Sequence, residues 1–232
     1  MPAADPAPSP ATTRRLQRAA LAGALVGVAV ALGPLDALAD RSLAAHMLQH
    51  VLLINVVAPL LVAGAAPWRG SHFRAALGMA RGRGWPLTVT AAALLHVVVV
   101  WAWHVPGPYQ AALHNPVVHA AEHLSFLGTA CLVWWSVAAL RRGPSAGAGV
   151  VALFAVTLSG TGLGFWMALA RSPWYPAYGT GAAALTDQQV AGAVMWGVGG
   201  MVAALGGVAL FAAWLHRAER LSERVTHAVA AG

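Results

Sequence analysis

The chain has 232 residues, of which 59% are hydrophobic and only 9% are charged, and its formal net charge is +7. Soluble domains carry roughly 25% charged residues, so this composition excludes an ordinary soluble globular protein and indicates an integral membrane protein. Every basic residue is an arginine in or near a predicted loop or tail. The positive charge therefore points to orientation in a membrane and not to nucleic acid binding.

Six apolar stretches are long enough to cross a bilayer, which takes about 20 residues per helix. They predict an all-α, polytopic transmembrane helix bundle with spans at 16–35, 43–66, 85–103, 116–140, 148–170 and 189–214. The domain organisation that follows is a disordered tail at 1–15, a single transmembrane domain at 16–216 and a basic cytoplasmic tail at 217–232.

Local residues predict where several of these helices begin or bend. Ser42 is a predicted N-cap of the second span, Asn115 of the fourth and the pair Thr186-Asp187 of the sixth. Pro59 predicts a kink inside the second span. Glycines are dense in the fifth and sixth spans, which favours close helix packing in lipid.

The arginines fall mostly on one side of the predicted bundle. Twelve of the fourteen precede the first span, follow the sixth, or lie in the connections after the second and fourth spans, whereas only Arg41 and Arg171 lie in the other connections. The positive-inside rule then places both termini in the cytoplasm. An alternative is that a signal peptide is cleaved after Ala39, which would leave five spans in the same orientation, although Asp36 close to that point argues against it.

Two histidine pairs at i, i+4 spacing lie inside these apolar spans. Ionisable side chains within a membrane are costly and indicate function, and residues four apart share one helix face. With the orientation taken from the arginines alone, six histidines from three spans fall in the outer half of the membrane: His46, His50, His96, His104, His119 and His123. This convergence predicts a metal site near the extracytoplasmic surface.

Other donors lie at the same predicted depth. Met47 and Met195 are thioether candidates that also suit plain packing, and Gln49, Glu122 and Gln189 are candidates to hydrogen-bond an imidazole and fix its tautomer. Imidazole suits copper and zinc, and an added thioether favours Cu(I). Copper is therefore the first choice of metal and zinc the second.

Other functions compete with a metal carrier. His119-Ala-Ala-Glu122-His123 fits the H-x-x-E-H pattern, in which two histidines bind zinc and the glutamate is a base, so an intramembrane zinc metalloenzyme is the main alternative. A haem protein would need imidazoles on opposite faces of the haem, which pairs on one face do not provide. A copper permease would need donors along the whole path, but the cytoplasmic half offers mainly Asn55 and Cys131.

Several spaced segments follow one another in a fixed order. They are PLDALAD at 34–40, AHMLQHVLL at 45–53 with APLL at 58–61 and GAAP at 64–67, WHVP at 103–106 with Tyr109 and NP at 115–116, the histidine pair at 119–123, and DQQ at 187–189 with MW at 195–196 and GG at 199–200. Over residues 34–220 this series resembles the CtaG-like cytochrome c oxidase assembly factors. The chain departs from that pattern at its front, where an arginine-bearing tail stands in place of an additional span.

The resemblance implies a multi-pass protein of the bacterial plasma (inner) membrane that acts as a metallochaperone in cytochrome c oxidase assembly and not as an enzyme. It gives functional weight to His46, His50, His104, His119 and His123. The implied partners are an oxidase subunit that receives copper, an extracytoplasmic copper donor and membrane lipid. We expect the outer histidine cluster to load copper and release it by ligand exchange.

Overall fold

The structure is a computed structural model that describes residues 9–65, 85–140 and 146–201, together with scattered positions between 204 and 226. Every regular element within these residues is helical. Four helices are long and apolar enough to cross a membrane, and a fifth crossing is formed if one bent helix pair counts as a single span. The all-α membrane bundle is thus confirmed, while part of the sixth predicted span and most of the predicted tail at 217–232 lie outside the described residues.

Helix α1 begins earlier than the sequence predicted. It covers Pro10–Val30 and continues through a π-helical turn, Ala31–Leu35, into Asp36–Ala39. Ser9 caps it by accepting a hydrogen bond from the Thr12 amide, and Pro10 occupies the first turn, where its missing N–H is tolerated. The helix therefore starts before the predicted span boundary at residue 16, and the part of the predicted tail from Pro10 onward is helical.

Helix α2 covers Leu43–Leu52, a π-helical turn at Leu53–Val57 and a final segment at Ala58–Gly64. Ser42 caps it as predicted, since its hydroxyl accepts from the Ala45 amide at 3.3 Å. Pro59 lacks an N–H for the carbonyl of Asn55, so the regular hydrogen-bond ladder is interrupted just before the proline. The irregularity ahead of this proline is a π-helical turn.

Helices α3 and α4 form the bent pair. Helix α3 covers Trp85–Trp103 and α4 covers Pro106–His114, and the chain turns by 73° between them. Pro106 starts the second helix, and Asn115 ends it in an extended conformation. Asn115 also caps the next helix, α5 (Pro116–Leu140), by accepting from the Val117 and Val118 amides, which confirms that predicted start.

The last two described helices, α6 (Ala146–Ala168) and α7 (Ala182–Ala193), pack closely against each other, and α7 continues through a π-helical turn at Val194–Gly199. A Cβ added to Gly192 would overlap the α6 backbone at Gly164 and Ala168, so this crossing requires glycine.

Since α7 already begins at Ala182, Asp187 does not cap it, contrary to the sequence prediction. Its carboxylate instead accepts from the Ser42 hydroxyl and the Leu43 amide, which joins α7 to the start of α2.

Candidate metal centre

The two histidine pairs, at the starts of α2 and α5, meet between these helices. His46 and His50 occupy the first turns of α2, and His119 and His123 occupy the first turns of α5. Ring centroids are 4.5 Å apart within the first pair and 4.2 Å within the second. Between the helices, His46 lies 5.2 Å from His119, and His50 lies 5.2 Å from His123. The four rings therefore share one buried volume at one end of the bundle.

Glu122 contributes a carboxylate to the same volume. One oxygen lies 3.8 Å from Nε2 of His46, and the other lies 3.8 Å from Nε2 of His50. Glu122 is fully buried. One ligand atom from each of His46, His50, Glu122 and His123 lies within 4.8 Å of all the others. We refer to these four residues and His119 as the histidine cluster.

Most polar atoms of the histidine cluster have no hydrogen-bond partner among the residues that the structure describes. They are five ring nitrogens and both carboxylate oxygens: Nε2 of His46, both nitrogens of His50, Nε2 of His119, Nε2 of His123, and Oε1 and Oε2 of Glu122. Buried polar groups are nearly always paired, and leaving one unpaired costs about 1–3 kcal/mol. Such a concentration of buried lone pairs fits residues that share a cation.

Two tyrosines fix the orientation of the His46 ring. Nδ1 of His46 lies 2.9 Å from the Tyr178 hydroxyl and 3.0 Å from the Tyr109 hydroxyl. The Tyr178 hydroxyl donates its one proton to the Ala39 carbonyl at 2.9 Å, so it accepts from Nδ1–H. In this tautomer the lone pair is on Nε2, which faces the histidine cluster, as a metal ligand requires.

The connection between α6 and α7 positions Tyr178. A short 3₁₀ turn covers Pro176–Tyr178, and Gly179 follows it with φ of 98°, a left-handed conformation that favours glycine. Gln188 of α7 holds the same connection by accepting from the Trp174 amide at 2.6 Å. Burial raises the pKa of the Tyr178 hydroxyl above its ordinary value, so the group stays a protonated phenol at neutral pH.

Comparison with known protein families identifies the family of this chain. The model of the cytochrome c oxidase caa3 assembly factor family, Caa3_CtaG, matches residues 8–217. The chain belongs to the Caa3_CtaG family. Comparison with curated proteins and with solved structures gave no match. The family match begins ahead of residue 34, where the sequence resemblance began, so α1 belongs to the matched region together with the histidine cluster.

The two further histidines predicted in this Caa3_CtaG member lie beside the cluster. His104, at the end of α3, has its ring 6.1 Å from that of His50. His96 lies deeper in α3, and its Nδ1 is 2.8 Å from the Thr129 hydroxyl. Both line a cavity of about 90 Å³ that also contacts His50 and Met195. Met195 thus lines the cavity beside the histidine cluster.

The two glutamines predicted to orient imidazoles bond to other groups. The Gln49 amide donates to the Ala31 carbonyl at 2.8 Å and to Asp36 at 2.9 Å, which joins α2 to the π-helical turn of α1. The Gln189 amide donates to the Ala170 carbonyl at 3.2 Å. Both residues therefore tie together the elements around the site, whereas Glu122 lies inside it.

Sequence reasoning missed the tyrosines. The sequence offers Tyr109 only as part of a segment that resembles the family, and it gives no indication that Tyr175 or Tyr178 contacts the site. In the structure Tyr175 is buried, and its hydroxyl donates to the His104 carbonyl at 2.7 Å. All three tyrosines come from predicted connections, where no helical periodicity shows which way a side chain faces.

Proposed function

We propose that this Caa3_CtaG member holds a metal ion, copper first and zinc second, in the histidine cluster and passes it to an oxidase subunit during assembly. The proposal rests on one observation, the convergence of buried, unpaired nitrogens and oxygens from α2 and α5. Three imidazoles and one carboxylate form a donor set that suits a borderline divalent ion such as Cu²⁺ or Zn²⁺. Copper takes precedence because the family assembles a copper oxidase.

The position of the cluster suits release as well as binding. All of its residues lie within the first turns of two helices, so the ion stays close to one surface of the membrane. His119 is only half-buried, whereas His46, His50 and Glu122 are buried, so an incoming ligand meets His119 first. Transfer then proceeds by stepwise ligand exchange with a client subunit. The arginine distribution supports an extracytoplasmic location for this surface.

Metal analysis of the detergent-purified protein tests this function. When the protein is loaded with Cu²⁺, the His46→Ala/His50→Ala double variant should lose the ion bound in the histidine cluster, while His114→Ala, which changes an exposed histidine at the end of α4, should keep it. Acidification should release the metal from the wild type, because ligation requires neutral imidazoles. Equal copper content in the wild type and the double variant would rule out the histidine cluster as the site.

The zinc metalloenzyme alternative uses the same residues but gives Glu122 a different role. As a ligand, Glu122 is needed to hold the ion, so Glu122→Gln should lower metal content. As a catalytic base, it is needed only for turnover, so the same variant should keep its metal. Each carboxylate oxygen lies 3.8 Å from Nε2 of His46 or His50, and Glu122 belongs to the group of closely spaced donor atoms, which supports the first role.

A further inference from the structure

Met47 and His104 form a pair of donors outside the histidine cluster. Nδ1 of His104 lies 2.7 Å from the Val100 carbonyl, which can only accept, so Nδ1 carries the proton. In neutral imidazole the other nitrogen, Nε2, then carries a lone pair. That nitrogen lies 3.4 Å from the sulfur of Met47, which is also an acceptor. Two buried lone pairs therefore face each other without a proton between them.

Both members of this pair are held in place. The His104 ring is fixed by its bond to Val100, and its backbone carbonyl accepts from the Tyr175 hydroxyl at 2.7 Å. Met47 is fully buried in a cluster with Tyr109, Met167 and Tyr175. The facing arrangement is thus part of the packed interior and not a chance rotamer of an exposed side chain.

The cavity beside His104 gives the pair a connection to other donors. His50 of the histidine cluster, His96 and Met195 line the same cavity. Thr129 donates its hydroxyl proton to the Ser125 carbonyl at 2.7 Å, so it accepts from Nδ1–H of His96, which leaves Nε2 of His96 as a further lone pair. Nitrogen and thioether donors without a carboxylate favour Cu(I).

We propose that Met47 and His104 form a second metal site, selective for a soft monovalent cation such as Cu(I), beside the divalent-type histidine cluster. The ring centroids of His104 and His50 are 6.1 Å apart, so a Cu(I) ion can pass from this pair to the imidazoles of the histidine cluster without changing its oxidation state. Binding at this pair does not depend on the proposed function. Its use as a station in copper transfer does rest on that function.

Titration with Cu(I), supplied anaerobically as its bicinchoninate complex, tests the second site. Met47→Leu conserves side-chain volume and should weaken Cu(I) binding by at least about tenfold. Met167→Leu is the matched control, because Met167 is equally buried in the same cluster but has no bond to a histidine in the described structure. X-ray absorption at the copper edge should show a sulfur neighbour in the wild type and in Met167→Leu, but not in Met47→Leu.

Binding of Zn²⁺ separates the two proposals. Met47→Leu should bind Zn²⁺ as the wild type does, while the His46→Ala/His50→Ala variant should lose Zn²⁺ and keep the copper–sulfur signal. If Met47→Leu folds poorly, His104→Gln is the second variant, and it should also lose the copper–sulfur signal. A wild type without a sulfur neighbour, or a signal that survives in Met47→Leu, would overturn the second site and leave the histidine cluster untouched.

Discussion

The two ends of the helix bundle are built on different principles. At the apolar end, the beginnings of α3 and α6 and the end of α5 meet in a cluster of small and branched side chains: Val89, Ala92, Ala93, Val133, Val137, Ala152 and Leu153. At the histidine end, the same helices and α2 enclose imidazoles and a carboxylate whose polar atoms lack partners in the described structure. The apolar end therefore serves packing, whereas the unpaired polar atoms of the histidine end should lower the stability of the metal-free protein.

Among substitutions that distinguish the two ends, one at Glu122 should have the largest effect on the stability of the protein. Glu122→Met removes two buried, unpaired carboxylate oxygens and fills a similar volume, so the metal-free protein should become more stable by about 1–4 kcal/mol. The midpoint of thermal unfolding in detergent measures this change. With copper added, the wild type should gain stability by mass action, and the variant should gain much less.

Glu122→Gln is the control for this prediction. It removes the carboxylate but keeps two polar atoms that need partners, so it should not stabilise the metal-free protein as Glu122→Met does. A metal-free Glu122→Met protein that unfolds at a lower temperature than the wild type would show that Glu122 supports the fold. The contrast between the two ends would then be lost.

A smaller effect is expected at the apolar end. Val137 is buried, and a Cβ built on Gly149 of α6 would lie 3.5 Å from its Cγ1, so the two helices pack closely here. Val137→Ala should reduce stability by about 1–2 kcal/mol through lost packing contacts. Copper content should stay unchanged, because the side chain lies far along α5 from the histidine cluster. A parallel loss of copper would show that the two ends are coupled.

The sequence predicted how each histidine pair is oriented because that signal is local. His46 and His50 are one helical turn apart, as are His119 and His123, so each pair faces one direction whatever the exact helix boundaries. Helix caps at Ser42 and Asn115 were also readable, since capping depends on residues only a few positions apart. These features can be predicted because they do not depend on the tertiary structure.

Features that depend on contacts between distant segments were not predictable. The sequence predicts Asp187 as a cap for its own helix. Its carboxylate instead accepts from the Ser42 hydroxyl at the start of α2, and the two residues are 145 positions apart in the chain. Tyr178 reaches His46 across 132 positions, and Met47 meets His104 across 57. These contacts depend on which helices are neighbours and on how the bent α3–α4 pair folds back. No periodicity in the sequence specifies either of these.

The smallest expected effect concerns Tyr178, which orients a ligand without touching the metal. Tyr178→Phe removes the acceptor for Nδ1–H of His46, so divalent metal affinity should fall by about tenfold, or roughly 1.4 kcal/mol. The metal affinity should fall no further than this, because the Tyr109 hydroxyl remains 3.0 Å from the same nitrogen. Competition with a chelator measures the affinity. Tyr175→Phe is the control, since Tyr175 bonds to the His104 carbonyl and not to the cluster.

The pH dependence of the Tyr178 effect distinguishes orientation by a neutral phenol from attraction by a phenolate. Because burial raises the pKa of the Tyr178 hydroxyl, the group holds its proton throughout the range from about pH 7 to pH 9. The affinity ratio between wild type and Tyr178→Phe should therefore stay constant over that range. A ratio that grows with pH would mean that a phenolate forms and acts through its charge. Tyr178 would then belong to the electrostatics of the histidine end and not to its hydrogen-bonded support.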